Sequence, residues 1–432
     1  MIIKKSSNRL LFRQNDSIRH PHLIYCLVVI AIGAMLLTGL SGCQTQRSVT
    51  DSTFSAWEQV IENGRDQEVT ILMWGGNDSI NQYMDNFVAS HLKEQYGIIL
   101  KRVPMNAPEF IIKLLNEKKA SVETGSADLL WINAENFRTA RQGNLLWGPI
   151  TTFMPNLSTY YDAEAADLNF DTGIPIEGYE AIWGRAQLVL TYDAARTADV
   201  PTSFAEMLEW ARQNPGRLTY PKLPDDFVGT AFVRTAYYEL TGQTDAFQKT
   251  MTRDEFLSLS QPVIDYFKEL APFLWREGTA YPATQAQLDD LFKNGEVDMT
   301  MGFEVGKTAG LVETGVYPDT VRTMVFDTGT IGNAHYLAVP YNAPQKAAAL
   351  LAIDFLQSPL AQIEKMKPDV WGDMPALDVR RLSEPMQLEL AELEAGQVSL
   401  SLQELTDHRL PEMQSQYIDW IKEIWTEKIG GQ

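Results

Sequence analysis

The residues of this 432-residue chain that stand ready for chemistry are carboxylates and aromatics, and the commonest catalytic nucleophiles are scarce. There are 56 Asp and Glu against five His and two Cys. Cys26 lies within an apolar stretch and Cys43 at its end, so everything beyond Cys43 has no thiol. That region can form no internal disulfide, carry no Cys nucleophile and build no thiolate metal site. His20 and His22 precede the same stretch, which leaves too few imidazoles for a His metal site. No GxSxG, HExxH or phosphate-binding GxxxxGK[ST] motif occurs. Carboxylate chemistry stays open as an alternative, although no spacing brings two acids together as a glycosidase pair would need.

What the pattern offers instead is recognition. Trp74, Gly75, Gly76, Asn77 and Asp78 follow directly on the apolar run from Val69, and Asn133 follows the run from Ala127. Gly75 and Gly76 permit a tight turn and close backbone approach, while the amides opening the next helix suit an anion. Asp78 or Ser79 would serve equally as a helix cap. Tyr220, with Pro221 and Asp225 after it, and Gly302, Phe303 and Glu304 hold equivalent positions later in the chain. Glu304 either counters a cationic solute or sits in a first helical turn, favoured by the dipole. Asn333, His335 and Tyr336 lie on a late β-rich run. Trp74 is the strongest candidate for an aromatic wall against a ring or cation, with Trp371 a weaker one. Tyr237 and Tyr238 sit inside a helical pattern, where spacing turns one of them to the core.

These residues need a scaffold. β-rich runs at Val69–Trp74, Ile98–Val103 and Ala127–Ile132 alternate with helical patterns at Ile80–Tyr96, Ala107–Lys118 and from Ala134. That alternation predicts an α/β fold with doubly wound sheets, whose ligands bind beyond the strand C-termini. Tyr179–Tyr192 is too long for one strand and predicts a chain passing between two bodies. A second unit follows, with helices opening at Phe204 and over Phe227–Leu240, Arg253–Leu270 and Ala286–Lys293, and a buried strand at Val297–Met301. Tyr336–Pro340 predicts the return passage, and two passages make a hinged cleft.

The N-terminus stands apart. Five basic residues and one Asp precede Leu23–Gly42, which holds no charge: the pattern of an export signal, or of an uncleaved anchor helix. Its ending, Leu40-Ser41-Gly42-Cys43, resembles the lipobox of bacterial lipoproteins, which implies acylation of Cys43 and anchoring at a periplasmic or cell-surface membrane. The expected organisation is a signal segment over 1–43, a tether over 44–66, first lobe 67–186, second lobe 187–333, and a return part with C-terminal helices over 334–432. The net charge of −20 disfavours nucleic acid and anionic membrane surfaces as partners. It leans toward a cationic or neutral solute, or simply keeps the chain soluble.

Several stretches together resemble bacterial extracellular solute-binding proteins of the type II periplasmic fold, most closely the YnjB-type members, relatives of thiamine, iron and polyamine binding proteins. They are 69–79, Pro201-Thr202-Ser203-Phe204, Leu218-Thr219-Tyr220-Pro221, the segment 291–303, and Gly332-Asn333-Ala334-His335-Tyr336. The resemblance implies two lobes on a two-segment hinge and no cofactor. It also implies a small solute, thiamine-like among the options, with an ABC permease and ATPase as partners of a monomeric receptor. A non-transport sensor or scaffold on the same fold is the alternative. Relatives of this fold that degrade thiamine use a Cys nucleophile, which the region beyond Cys43 lacks.

Overall fold

The computed structural model describes residues 54–430 apart from 396, 397 and 399. The export-signal segment, Cys43 and the first ten residues of the expected tether lie outside the described residues. From Phe54 onward that tether expectation is corrected. Trp57–Gly64 is a helix whose Val60 is buried. A Cβ on Gly64 would strike Leu351 and the Ala347 backbone, so this helix lies against Lys346–Leu356 at van der Waals distance and belongs to the body.

The strands are β1 (Glu68–Met73), β2 (Ile99–Pro104), β3 (Leu129–Ile132), β4 (Leu146–Trp147), β5 (Phe170–Asp171), β6 (Ile174–Pro175), β7 (Ala181–Gln187), β8 (Val189–Asp193), β9 (Met299–Gly302), β10 (Val321–Met324), β11 (Thr330–Pro340) and β12 (Arg409–Leu410). One sheet runs β12-β11-β3-β1-β2, with β7 and β4 also on β11. There β1 is parallel to β2 and β3, while β11 runs antiparallel to β3 and β7. The side-chain period of two divides this body's core. Ile71 and Met73 face the helices Ala89–Tyr96 and Lys346–Leu356, whereas Leu72, Leu130 and Ile132 face Phe110 and Phe137.

The second sheet, β10-β8-β9, is three-stranded and antiparallel throughout, unlike the parallel heart of the first. Its core gathers Phe204, Phe232, Phe267 and Phe292 from the covering helices. The long run 179–192 divides at buried Leu188, giving β7 to the first sheet and β8 to the second. β11 makes the return and is longer than its sequence signal, because Thr330–Asn333 also pairs with β12 or β7.

The C-terminal helix Ser415–Lys428 joins both bodies. Tyr417, Ile421, Ile424 and Trp425 enter the second core. Its Asp419 accepts from Arg138 of the first body at 3.1 Å.

Candidate functional site

Parallel strands β1 and β3 end at the two places where sequence placed solute contacts. After β1, the Asn77 side chain accepts from the amides of Ser79 at 2.9 Å and Ile80 at 3.2 Å, so Asn77 caps the helix, not Asp78 or Ser79. Asn81 donates to the Gly75 carbonyl and closes the turn. Glycine keeps the turn close: a Cβ on Gly76 would come within 2.4 Å of the Trp74 ring, and one on Gly75 within 2.8 Å of Pro104. Trp74 remains 44% exposed beside this turn.

After β3, Asn133 is the N-cap residue of Ala134–Gln142 through its backbone, without a side-chain cap. The Ala134 amide instead donates to Asp171. Burial pushes Asp171 up to about 8, with Glu412 and Glu135 adding to the rise against the Ala134 hydrogen bond. Glu180 is likewise pushed well up, by burial and then by Asp171. Both of its oxygens are buried without a partner among the described residues.

The two bodies meet beside this acid group. Asn333 of β11 donates to Glu412 at 2.9 Å, and the other Glu412 oxygen pairs with Arg234 of the helix Phe227–Thr241. Next to Arg234, Thr235 accepts from the Ile331 amide of the return strand. The Arg234 guanidinium lies 5.4 Å from the centroid of Phe227, whose ring in turn lies 5.0 Å from Phe303. Sequence singled out Asn333 and Phe303 but missed Arg234, Glu412 and Asp171. The signal for Arg234 was present: it and Glu239 are the only charges in that helix.

Gly302 and Glu304 border a small recess with Gln285, Asp289, Lys307 and Thr300. Glu304 accepts from Gln285 at 3.2 Å. The next helix begins only at Lys307, with Gly306 as its cap, so the first-turn role expected for Glu304 is corrected. Two further expectations are relocated. Tyr220 is fully buried, and its hydroxyl accepts from Trp425 Nε1 at 3.1 Å, because the C-terminal helix covers it. Tyr336 is also enclosed and donates to the Asp167 carbonyl. Tyr237 and Tyr238 are both buried.

Trp371 packs within a cluster of Trp131, Trp183 and His335. That cluster already holds its own cation. Lys365 lies 5.4 Å from the Trp371 centroid and donates to Asp373 at 2.6 Å. Burial pushes Asp373 up, but Lys365 and His335 together outweigh it and hold the carboxyl below its ordinary range. Among the described residues no group of three or more His, Cys, Asp or Glu is arranged to hold a metal ion. None of the described helices is long and apolar enough to cross a membrane.

Comparison with known proteins matches this arrangement. The family model for bacterial extracellular solute-binding proteins covers residues 82–392. YnjB of Escherichia coli is 36% identical over 330 residues, 76% of this chain and 84% of that protein. An ABC transporter structure from Clostridium perfringens superposes with a TM-score of 0.58 at 14% identity, covering 84% of this chain and 99% of that one. The periplasmic binding protein AfuA of Actinobacillus pleuropneumoniae, in a structure with fructose-6-phosphate, gives 0.56 at 14% identity, over 84% and 98%. Both share this chain's α/β fold, that of type II periplasmic binding proteins. On the family model and the YnjB match, this chain belongs to the bacterial extracellular solute-binding proteins.

Proposed function

We propose that the chain is the receptor of an ABC importer, exported and held at the membrane by acylated Cys43, which captures a small solute between its lobes and presents it to a permease. The family supplies the solute-binding role. The observation that carries the reading of the cleft is the junction itself: β7–β8 and the return into β11 are the strand passages between the bodies, and polar groups from both converge beside them. Trp74, Gly75, Gly76, Asn77, Asp78 and Asn133 offer the first lobe's wall. Phe303, Gly302 and Glu304 offer the second's, and Asn333 the floor. Tyr220 and Tyr336 act from behind as packing. With no thiol beyond Cys43, a binding role is favoured over an enzymatic one.

The body has begun by Phe54, so ten residues separate it from Cys43 and span at most about 35 Å, a short leash beside a permease. Metabolic labelling with palmitate tests the anchor. Cys43→Ser should lose the label and leave the membrane fraction, and an unchanged label would refute acylation there. Solute binding is tested by native mass spectrometry of protein purified from cells, then a thermal-shift panel of small solutes. A solute at 100 times its Kd should stabilise the native state by about 2.7 kcal/mol. No stabilisation by any class of solute would overturn the receptor reading.

A further inference from the structure

A guanidinium presents its donors in a fixed fork, and the Nε–H and the neighbouring Nη2–H point the same way, matched to the two oxygens of a carboxylate. Among the described residues four arginines use that edge on an Asp, exposed Arg380 on Asp378 at 2.8 and 2.9 Å among them. Arg102 grips Asp85 through Nε at 2.9 Å and Nη2 at 2.6 Å. Arg185 grips Asp167 at 2.6 and 2.9 Å, and Arg217 grips Asp298 through the same two nitrogens. Arg234 departs from them. Its side chain is fully buried, its Nη1 pairs with Glu412, and its Nε and Nη2 have no partner among the described residues.

A buried donor without a partner is costly, and here two are left on the one edge built for a bidentate acid. Their place gives them a use. Arg234 lies where the second lobe's helix meets the return strand, through Glu412 to Asn333 and through Thr235 to Ile331. It is packed under Phe227, which is 45% exposed and stands at the start of its helix against Phe303.

We propose that the Nε/Nη2 edge of Arg234 receives the carboxylate of the captured solute, with the Phe227–Phe303 pair covering the solute's apolar body. This rests on the receptor reading above and names its solute class. Glu412 fills the far end of the same guanidinium, so a singly charged carboxylate fits better than a dianionic phosphate. The chain's negative net charge does not oppose this, because the local donor set governs a desolvated contact.

The test arranges the solute panel in matched pairs, each carboxylate with its primary amide (acetate with acetamide, benzoate with benzamide), plus inorganic phosphate and carboxylate-free cations. Binding solutes should carry a carboxylate, and their amides should bind roughly 10- to 100-fold more weakly. Arg234→Lys keeps the charge beside Glu412 but loses the fork, and should weaken binding by a similar roughly 10- to 100-fold factor. Should that variant fail to fold, the ¹⁵N signal of Arg234 Nε in the wild-type protein serves instead, shifting as the bound carboxylate saturates. A solute lacking a carboxylate as the tightest binder, phosphate included, would overturn the proposal while leaving the receptor intact. So would Arg234→Lys binding within threefold, or an Nε signal that a bound carboxylate does not move. Absence of binding by every solute class would remove the receptor reading, and this proposal with it.

Discussion

Lys365 and Arg234 are both completely buried cations, and they have been finished differently. Lys365 donates to Asp373 at 2.6 Å and to the Met374 carbonyl at 2.9 Å, with His335 on the other Asp373 oxygen and indole faces around it. Every charge there has its answer within the first lobe. Arg234 has one answered corner and an open edge, and it sits at the junction of the lobes. A completed buried charge reports on stability. An incomplete one where the two bodies meet leaves its donors for the partner proposed above. The four Asp-gripped arginines elsewhere among the described residues show that this sequence can fill such an edge internally.

The largest effect should come from breaking the completed cluster. Lys365→Met strips Asp373 of its main partner in a dry site, which should cost about 3–5 kcal/mol of unfolding free energy. Urea unfolding measures it. Solute affinity in the folded fraction should be unchanged, whereas Arg234→Lys should do the reverse. If Lys365→Met abolished binding at full stability, the distinction between the two cations would collapse.

A second effect tests the acid group beside Arg234. Asp171 keeps its proton up to about pH 8 in the folded chain, while the unfolded chain releases it near an ordinary Asp value of about 4. Between those values the folded state binds more protons, so stability falls as pH rises, and the contribution is whole only below the lower value. The slope approaches about 1.4 kcal/mol per pH unit from this one group. Asp354, pushed up to about 6 by burial, adds in the same direction over a narrower window. Asp171→Asn still accepts from the Ala134 amide and should remove the Asp171 share of the fall between pH 6 and 8, leaving the share of Glu180, which burial also pushes well up. A variant as pH-sensitive as the parent would place the slope elsewhere.

Much of the scaffold was legible because it rests on local pattern. β1, the helix after it, β3 and the division of 179–192 follow from runs of apolar residues and the turns between them. Of the candidate site, only local positions were legible: the glycines at 75 and 76, the strand-end positions of Asn133 and Phe303, and Asn333 on the return strand. The Arg234–Glu412 pair joins residues 178 positions apart, and the Asp171 bond to Ala134 spans 37. No periodicity carries such pairings. Tyr220 was misplaced for the same reason, since the helix that covers it lies at the far end of the chain.

That misplacement supplies the smallest and sharpest contrast. Trp74 and Tyr220 both follow β-rich runs and both looked like walls of the cleft, yet one is open and the other enclosed. Tyr220→Phe removes the acceptor for Trp425 Nε1 and should cost about 1 kcal/mol of stability, with no change in Kd. Trp74→Ala removes an indole that stands partly in solvent, so stability should hold. Losing its aromatic face should weaken solute binding by about 0.5–1.5 kcal/mol, roughly two- to tenfold in Kd. The two substitutions thus separate along different axes, melting temperature for Tyr220 and affinity for Trp74. An affinity loss at Tyr220→Phe would mean that the C-terminal helix transmits to the cleft. Unaltered affinity at Trp74→Ala would move the first lobe's contact from the β1 turn to the end of β3.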